Sequence, residues 1–207
     1  MTNEMTEASR PKKWRWYHGV LFYAGVQVVS YGLGKLVQNI AAQSKPQLTE
    51  QIAGNSLYNA FYNSLTQPVF APPDWSFAPA WTLNNWLAIW GLLRVLNMPP
   101  EKAGRTEFLA LQMAFGIVFV GFNPLYFGFR SPILGAIDTD IGLVLTAASE
   151  YVAVAKLKDS PTAFSQSTTL LWLVLAAATA TTVAAWNEDE FFQTRAVIEP
   201  ISSLKKD

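Results

Sequence analysis

The sequence contains no cysteine and a single histidine, His18, among its 207 residues. Disulfides, thiolate nucleophiles and cysteine metal sites are therefore excluded, and one imidazole cannot form a histidine cluster. Charged residues make up only 14% of the chain, well below the share of about a quarter that is usual in soluble domains. The 15 basic and 15 acidic residues cancel, so no net field attracts nucleic acid. These shortages remove nucleic-acid binding and thiol chemistry from the functions to be considered.

Hydrophobic residues account for 51% of the chain, and they are concentrated in five charge-poor stretches. Each approaches the roughly 20 residues that a membrane-spanning helix needs. We therefore predict an all-α membrane protein, a five-transmembrane-helix bundle whose backbone polar groups are satisfied within each helix. A basic polar segment (1–15) precedes this single domain (16–187), and a polar tail (188–207) follows it. The predicted spans are residues 16–38, 75–96, 107–128, 133–155 and 161–186.

The distribution of basic residues predicts the orientation of the bundle. Lysines and arginines are more frequent in the N-terminal segment and in the loops after the second and fourth spans than on the opposite side. This bias favours a cytoplasmic N-terminus. His18 falls beside Trp16 and Tyr17 at the start of the first span, where an interfacial role is favoured over a role as a ligand to haem iron or a metal.

The second span carries the most informative pattern in the chain. Prolines before Asp74 disfavour an earlier helix start, and four tryptophans follow within a run free of charge. With a period of 3.6 residues, Trp81 and Asn85 lie on one face and Trp86 and Trp90 on another. An unpaired asparagine is costly in hydrocarbon, so we expect Trp81 and Asn85 to face a cavity and the other face to contact lipid or a partner subunit.

The fourth span contains two acidic residues, Asp138 and Asp140, which point to nearly opposite sides of a helix. They cannot form a compact acid/base or metal-binding pair. Carboxylates at membrane depth face the bundle interior or water and mark functional sites by default. For Asp138, a functional role and a buried pairing both remain open.

The connection before the second span contains apolar and aromatic residues at helical spacing over residues 55–65. This pattern predicts a short amphipathic helix in the first loop. It is either a lid over the mouth of the bundle or a helix that only packs on its surface.

Several of these residues together resemble the translocator protein family, also called the tryptophan-rich sensory protein family. The resemblance extends from about Phe61 to Asn187, and it implies a five-helix bundle whose pocket, on the side of the first loop, binds porphyrins and other flat apolar ligands. Sterols are expected at its outer surface, and homodimers or larger membrane complexes are expected as assemblies. The motif residues are Tyr62, Leu65, Pro68, Pro72, Pro73, Trp75, Phe77, Pro79, Trp81 and Thr82.

The resemblance implies that the pocket is formed by Tyr62, Trp81, Asp138, Trp172 and Ala176. Indole rings offer flat faces to a tetrapyrrole, and a carboxylate offers a polar contact. Packing in the core is the alternative explanation for both tryptophans.

The sequence also departs from the family pattern within this pocket. Asn85 replaces a tyrosine, Phe119 and Phe122 replace an asparagine and a tryptophan, and alanines and threonines replace a Tyr-Leu-Asn run in the fifth span. The C-terminal sterol motif is absent, although Leu145 and Tyr151 begin a loose sterol pattern. We expect Asn85 and Phe119 to line the pocket and to alter its ligand preference.

The leading hypothesis is a membrane protein that binds a tetrapyrrole, such as a porphyrin or haem, or a lipid or sterol, and that senses or moves this ligand. No cofactor is obligatory, and no nucleophile or acid/base pair indicates an enzyme. A structural subunit docked on a larger membrane complex is the alternative. A transporter that uses Asp138 and Asp140 is the third reading.

Overall fold

The computed structural model describes residues 13–44 and 56–206. Over these ranges the chain forms six α-helices and no β-strand, and two isolated β-bridges connect loop residues. The predicted all-α class is therefore confirmed. The helices are α1 (Trp16–Ser44), α2 (Ser56–Ser64), α3 (Phe77–Leu96), α4 (Arg105–Phe122), α5 (Pro132–Tyr151) and α6 (Ser160–Trp186).

Within the described ranges, four helical segments are long and apolar enough to cross a membrane: Trp16–Val37, Arg105–Gly128, Pro132–Leu157 and Ser160–Trp186. The helical membrane bundle is confirmed to this extent. The predicted count of five also needs α3, which has 20 residues but is not among these four segments. The fifth span stays a prediction. The first helix continues to Ser44, beyond the end predicted at residue 38, and most of the basic N-terminal segment lies outside the described residues.

Proline and polar caps determine where the helices begin. A 3₁₀ turn, Asp74–Ser76, follows Pro73, whose extended backbone (φ −66°, ψ 148°) excludes it from the helix. At the start of α5, the Ser131 side chain accepts a hydrogen bond from the Leu134 N–H. These caps satisfy N–H groups that have no partner within the helix.

Two helices end in π-helical segments. Asn123–Gly128 extends α4, and the Phe129 N–H donates to the Pro124 carbonyl at 3.0 Å, a bond over five residues. By itself, a proline at position 124 predicts a kink or the end of the regular helix. The structure shows instead that the helix continues past Pro124 with hydrogen bonds that span five residues in place of four. Val152–Leu157 extends α5 in the same way.

One end of the bundle is closely packed. Val95, Phe108 and Leu157 are fully buried in a cluster at the end away from α2. In the same half, the Gln112 amide donates to Ser149 and Gln166 at 3.0 Å each, which pairs these three polar side chains inside the bundle. The cavity described below lies in the other half of the bundle, nearer to α2.

Helix α1 is held to the bundle chiefly at its two ends. Near its start, Gly19 lies against Ile89 and Leu93 of α3, and near its other end Val37 lies against Gly128. Between these points, the Ser30 hydroxyl accepts a hydrogen bond from the Asn123 amide at 3.0 Å. Helix α1 therefore closes one side of the space between α3 and α4.

The segment after α6, predicted only as a polar tail, packs back on the bundle. Asp189 is 2% exposed, and its carboxylate accepts hydrogen bonds from Ser131 at 2.6 Å and from the Ile133 N–H at 3.0 Å. Further along, Val69 donates to the Leu204 carbonyl at 2.8 Å. The tail therefore joins the start of α5 to the loop between α2 and α3.

The pairing of Asp159 with Arg94 predicts a measurable dependence of stability on pH. Two hydrogen bonds of 2.6 and 2.7 Å from Arg94, together with hydrogen bonds from Thr162, hold the pKa of Asp159 well below its ordinary value. Because the pKa of Asp159 is lowered in the folded state, the ionised carboxylate contributes its full stabilisation above the ordinary aspartate pKa of about 4. This stabilisation is lost as the pH falls from there toward the pKa of Asp159 in the folded state. We expect Asp159→Asn, which retains the helix cap, to cost about 1 kcal/mol at pH 7.

Unfolding of the parent and of Asp159→Asn in detergent between pH 7 and pH 3 provides the check. The difference in unfolding free energy should narrow below about pH 4. A difference that stays constant over this range would exclude the ion pair as its cause.

Candidate ligand-binding cavity

A cavity of about 440 Å³ lies among the helices in the half of the bundle nearer to α2. It is bounded by α1, α3, α4 with its π-helical extension, α5 and α6, and Tyr62 of α2 covers one end. Its volume falls within the range of roughly 300 to 1,000 Å³ that is usual for small-molecule sites. The lining residues are Tyr23, Gln27, Ser30, Tyr62, Pro72, Asp74, Phe77, Ala78, Trp81, Thr82, Asn85, Phe115, Val118, Phe119, Phe122, Asn123, Tyr126, Phe127, Gly135, Asp138, Thr139, Gly142, Trp172, Leu173, Ala176, Thr179, Ala180 and Val183.

All seven residues that the sequence suggested as ligand contacts line this one cavity. They come from α2 and from four longer helices, and they include Asn85 and Phe119, two of the positions at which the sequence departs from the family pattern. The seven are Tyr62, Trp81, Asn85, Phe119, Asp138, Trp172 and Ala176.

Aromatic rings of α3, α4 and α6 form one wall of the cavity. The Trp81 ring lies 5.2 Å from Phe119 and 6.5 Å from Trp172, both in edge-to-face geometry. Phe77 contacts Trp172 at 5.7 Å. Edge-to-face contacts favour these relative orientations of the rings, and the Trp81, Phe119 and Trp172 side chains all line the cavity.

The outer face of α3 differs from its cavity face as expected. Trp86 and Trp90 are each 46% exposed on the bundle surface, whereas Asn84 is buried and Asn85 lines the cavity. The helical period therefore separates an aromatic outer face from a cavity face that contains an amide.

Asp138 and Asp140 diverge, as their spacing requires. Asp138 is 7% exposed and lines the cavity. Asp140 lies on the outside, where it accepts a hydrogen bond of 3.4 Å from Thr181 of α6. The two carboxylates therefore have different surroundings, and only Asp138 can contact a ligand in the cavity.

Helix α2 covers the end of the cavity through Tyr62. The Tyr62 hydroxyl donates to the Pro72 carbonyl at 2.7 Å, and the Gln67 amide donates to the Tyr62 carbonyl at 2.6 Å. Burial, and secondarily the negative charge of Asp74, raises the pKa of Tyr62 to about 12. The phenol is therefore protonated at neutral pH and retains its hydrogen bond.

The cover is also fixed from outside by α6 and its tail. The Asn187 side chain accepts from the Thr66 N–H at 2.8 Å and donates to the Thr66 carbonyl at 2.9 Å. The Arg130 guanidinium lies 4.7 Å from the Phe61 ring and pairs with Glu190 at 2.6 Å. These contacts hold α2 and the residues after it against the bundle. They fit a lid and a helix that only packs on the surface equally well, so both interpretations stay predictions.

The sequence analysis missed the contribution of α1 and of the π-helical segment. Tyr23, Gln27 and Ser30 line the cavity from α1, and Asn123 and Tyr126 line it from the other side. A signal for two of them was present, since Gln27 and Ser30 are polar residues within an apolar span and such residues face a bundle interior.

The fold and the cavity together define a class: a helical integral membrane protein, multi-pass, with an aromatic cavity under a loop helix. Comparison with known families identifies the class more closely. A sequence model of the TspO/MBR family matches residues 37–186, which is more than half of the chain. The chain belongs to the TspO/MBR family.

Two curated relatives are similar over shorter stretches. The Tryptophan-rich protein TspO of Chlorobaculum tepidum is 30% identical over 78 residues, which cover 38% of this chain and 49% of the relative. The Tryptophan-rich protein TspO of Archaeoglobus fulgidus is 30% identical over 99 residues, which cover 44% of this chain and 60% of the relative. The chain thus spans about half to three fifths of the length of these relatives.

Proposed function

We propose that this protein binds a flat, mainly apolar ligand of the tetrapyrrole or sterol type in its cavity and acts in sensing or transport of that ligand. The observation that carries the proposal is the convergence of Trp81, Trp172 and Asp138 on one cavity. Planar aromatic walls match a ring system, and the Asp138 carboxylate matches a polar substituent. The membership in the TspO/MBR family is consistent with a role in sensing or transport.

The proposal includes α3 as the fifth membrane span. Helix α3 packs along α6, and Gly91 allows close approach to Ser165. Its 20 residues suffice for a span, and its asparagines face the interior, where the cost of burying them is lowest. With α3 in the bilayer, the cavity lies within the membrane and is reached by ligands dissolved in lipid.

The proposal predicts that the two indoles of the cavity are needed for affinity. Replacing both Trp81 and Trp172 with phenylalanine removes part of each flat face, at a cost of about 0.5 to 1.5 kcal/mol per aromatic contact. We expect the Kd for mesoporphyrin, measured from the shift of its absorbance band in nanodiscs, to rise about tenfold.

The matched control changes the same residue type on the outer face of α3. In Trp86→Phe with Trp90→Phe, the Kd should stay within about twofold of the parent, since these rings do not line the cavity. If the cavity double variant binds mesoporphyrin as tightly as the parent, the cavity is not the binding site.

The exposed tryptophans favour a second candidate function, a structural subunit in a larger membrane complex. Trp75 is 72% exposed, and Trp86 and Trp90 follow along α3. Aromatic side chains are enriched at interfaces between proteins. Gentle extraction from the membrane, followed by measurement of the mass of the extracted complex, distinguishes the two candidate functions. A partner protein present at constant stoichiometry supports the structural subunit, whereas an isolated homodimer that binds mesoporphyrin supports the ligand-binding protein.

A further inference from the structure

The tail after α6, described over residues 188–206, exposes all of its large apolar side chains. Their exposed fractions lie between 41% and 76%. Isolated apolar side chains on a surface are common, but here they recur along one short segment, and such accumulations mark sites that bind a protein or a membrane. The six apolar tail residues are Phe191, Phe192, Val197, Ile198, Ile201 and Leu204.

The tail lies at the level where α6 leaves the membrane. Helix α6 has 27 residues, or about 40 Å at 1.5 Å per residue, which is the thickness of a bilayer with its headgroups. The N–H groups of Val197 and Ile198 donate to the Ala185 carbonyl in the last turn of α6, at 2.9 and 3.0 Å. The middle of the tail is therefore fixed at the headgroup level.

Both ends of the tail are held close to the starts of other helices. At its beginning, Asp189 accepts hydrogen bonds from the Ser131 hydroxyl and the Ile133 N–H, where α5 starts. Near its end, the Lys206 N–H donates to the Gln67 carbonyl at 2.9 Å, in the loop before α3. The tail cannot extend into bulk water without breaking these bonds, so its apolar residues stay beside the membrane surface.

The apolar side chains, and not charge, favour contact between the tail and lipid. Residues 188–206 carry four acidic and three basic side chains, so anionic lipid offers no net attraction. Apolar side chains gain free energy when they are buried about 5 to 10 Å into the boundary between headgroups and acyl chains. The described tail has no helix beyond the 3₁₀ turn Ser202–Leu204, and irregular backbone is not tolerated deeper in the hydrocarbon.

We infer that the tail is a membrane-surface element whose apolar residues insert at the boundary between headgroups and acyl chains, so that its partner is lipid. This inference goes beyond the proposed function, because it does not depend on a ligand in the cavity. The tail also bonds to the segment that follows α2, since the Val69 N–H donates to the Leu204 carbonyl at 2.8 Å. That segment is thereby fastened to the membrane surface.

The cysteine-free chain allows one fluorescent label to be placed at a time. Val197→Cys and Ile198→Cys, each labelled with NBD in phosphatidylcholine nanodiscs, report from the tail. We expect a lipid nitroxide near the headgroup end of the acyl chain to lower their fluorescence about twofold, and a nitroxide near the bilayer centre to lower it less. Iodide in the water should have little effect on these labels.

Glu101→Cys is the matched control. Glu101 is exposed in the loop between α3 and α4, at the other end of the bundle, so its label should be quenched by iodide and not by the lipid nitroxides. Circular dichroism verifies that each labelled variant is folded. Because the Val197 and Ile198 side chains are both exposed, neither substitution removes core packing, and one folded variant is sufficient.

Three results would overturn the inference. Tail labels quenched by iodide as strongly as the control would place the tail in water and leave a partner protein as the occupant of its apolar residues. Labels shielded from both quenchers would show that a second copy of the chain covers them. Quenching by lipid nitroxides only after phosphatidylglycerol is added would show attraction by charge in place of apolar insertion. Loss of mesoporphyrin binding, by contrast, would count against the proposed function alone.

Discussion

Asp189→Asn is expected to lower the free energy of unfolding by about 3 kcal/mol, because it breaks a buried network. One carboxylate oxygen accepts from Ser131 and the Ile133 N–H, and the other accepts from the N–H groups of Phe191 and Phe192 at 3.0 and 2.9 Å. An asparagine has only one oxygen, so in either orientation its NH₂ group faces two donors. Unfolding in a graded series of denaturing detergent mixtures, followed by circular dichroism, measures the change.

Glu188→Gln is the control for Asp189→Asn. Glu188 is adjacent and exposed, so loss of its charge should change the unfolding free energy by no more than about 0.5 kcal/mol. Limited proteolysis adds a local readout: cleavage after Arg195 should accelerate in Asp189→Asn and stay at the parental rate in Glu188→Gln. Equal stability of the two variants would contradict the anchoring role of Asp189.

Gly91→Val is expected to destabilise the bundle by about 3 kcal/mol, the upper end of the usual range for overpacking. A Cβ at this position would overlap the Ser165 side chain of α6 and would lie 3.6 Å from the Gln166 amide. Ser165 and Gln166 are themselves buried, so α3 and α6 must separate. Thermal unfolding in detergent measures the effect, and the cavity should lose mesoporphyrin affinity as well, since α3 and α6 carry Trp81 and Trp172.

Gly25→Val supplies the comparison, because no atom lies within 4 Å of a Cβ added at Gly25 of α1. Its thermal midpoint should stay close to that of the parent. If Gly91→Val were as stable as Gly25→Val, the close contact between α3 and α6 would be absent in the membrane-embedded protein.

The sequence was sufficient for features that depend on neighbours along the chain. Pro72 and Pro73 predicted that the second long helix does not start before Asp74, and the structure has a 3₁₀ turn at Asp74–Ser76 that leads into α3 at Phe77. The helical period separated Trp81 from Trp86 and Asp138 from Asp140, and each member of these pairs has the environment that its face predicts. The period of 3.6 residues is a local property of each helix, so it does not depend on how the helices pack against one another.

The sequence was insufficient where a contact joins distant segments. Nothing near Pro124 distinguished a kink from the π-helical segment that places Asn123 and Tyr126 at the cavity. Nothing near Asp189 indicated that this residue of a polar tail caps a helix 56 to 58 residues earlier. Such pairings depend on how helices approach one another, and their packing is not encoded in local spacing.

By itself, the sequence determined that this protein is helical, that it is rich in membrane-length apolar segments, and which faces of its helices carry tryptophan, amide and carboxylate groups, because composition and periodicity fix these properties locally. Only the tertiary structure decided that these faces enclose a cavity, that α1 closes one side of it, and that Asp138 lines it. Enclosed space is a property of several helices at once, and it arises only when those helices pack.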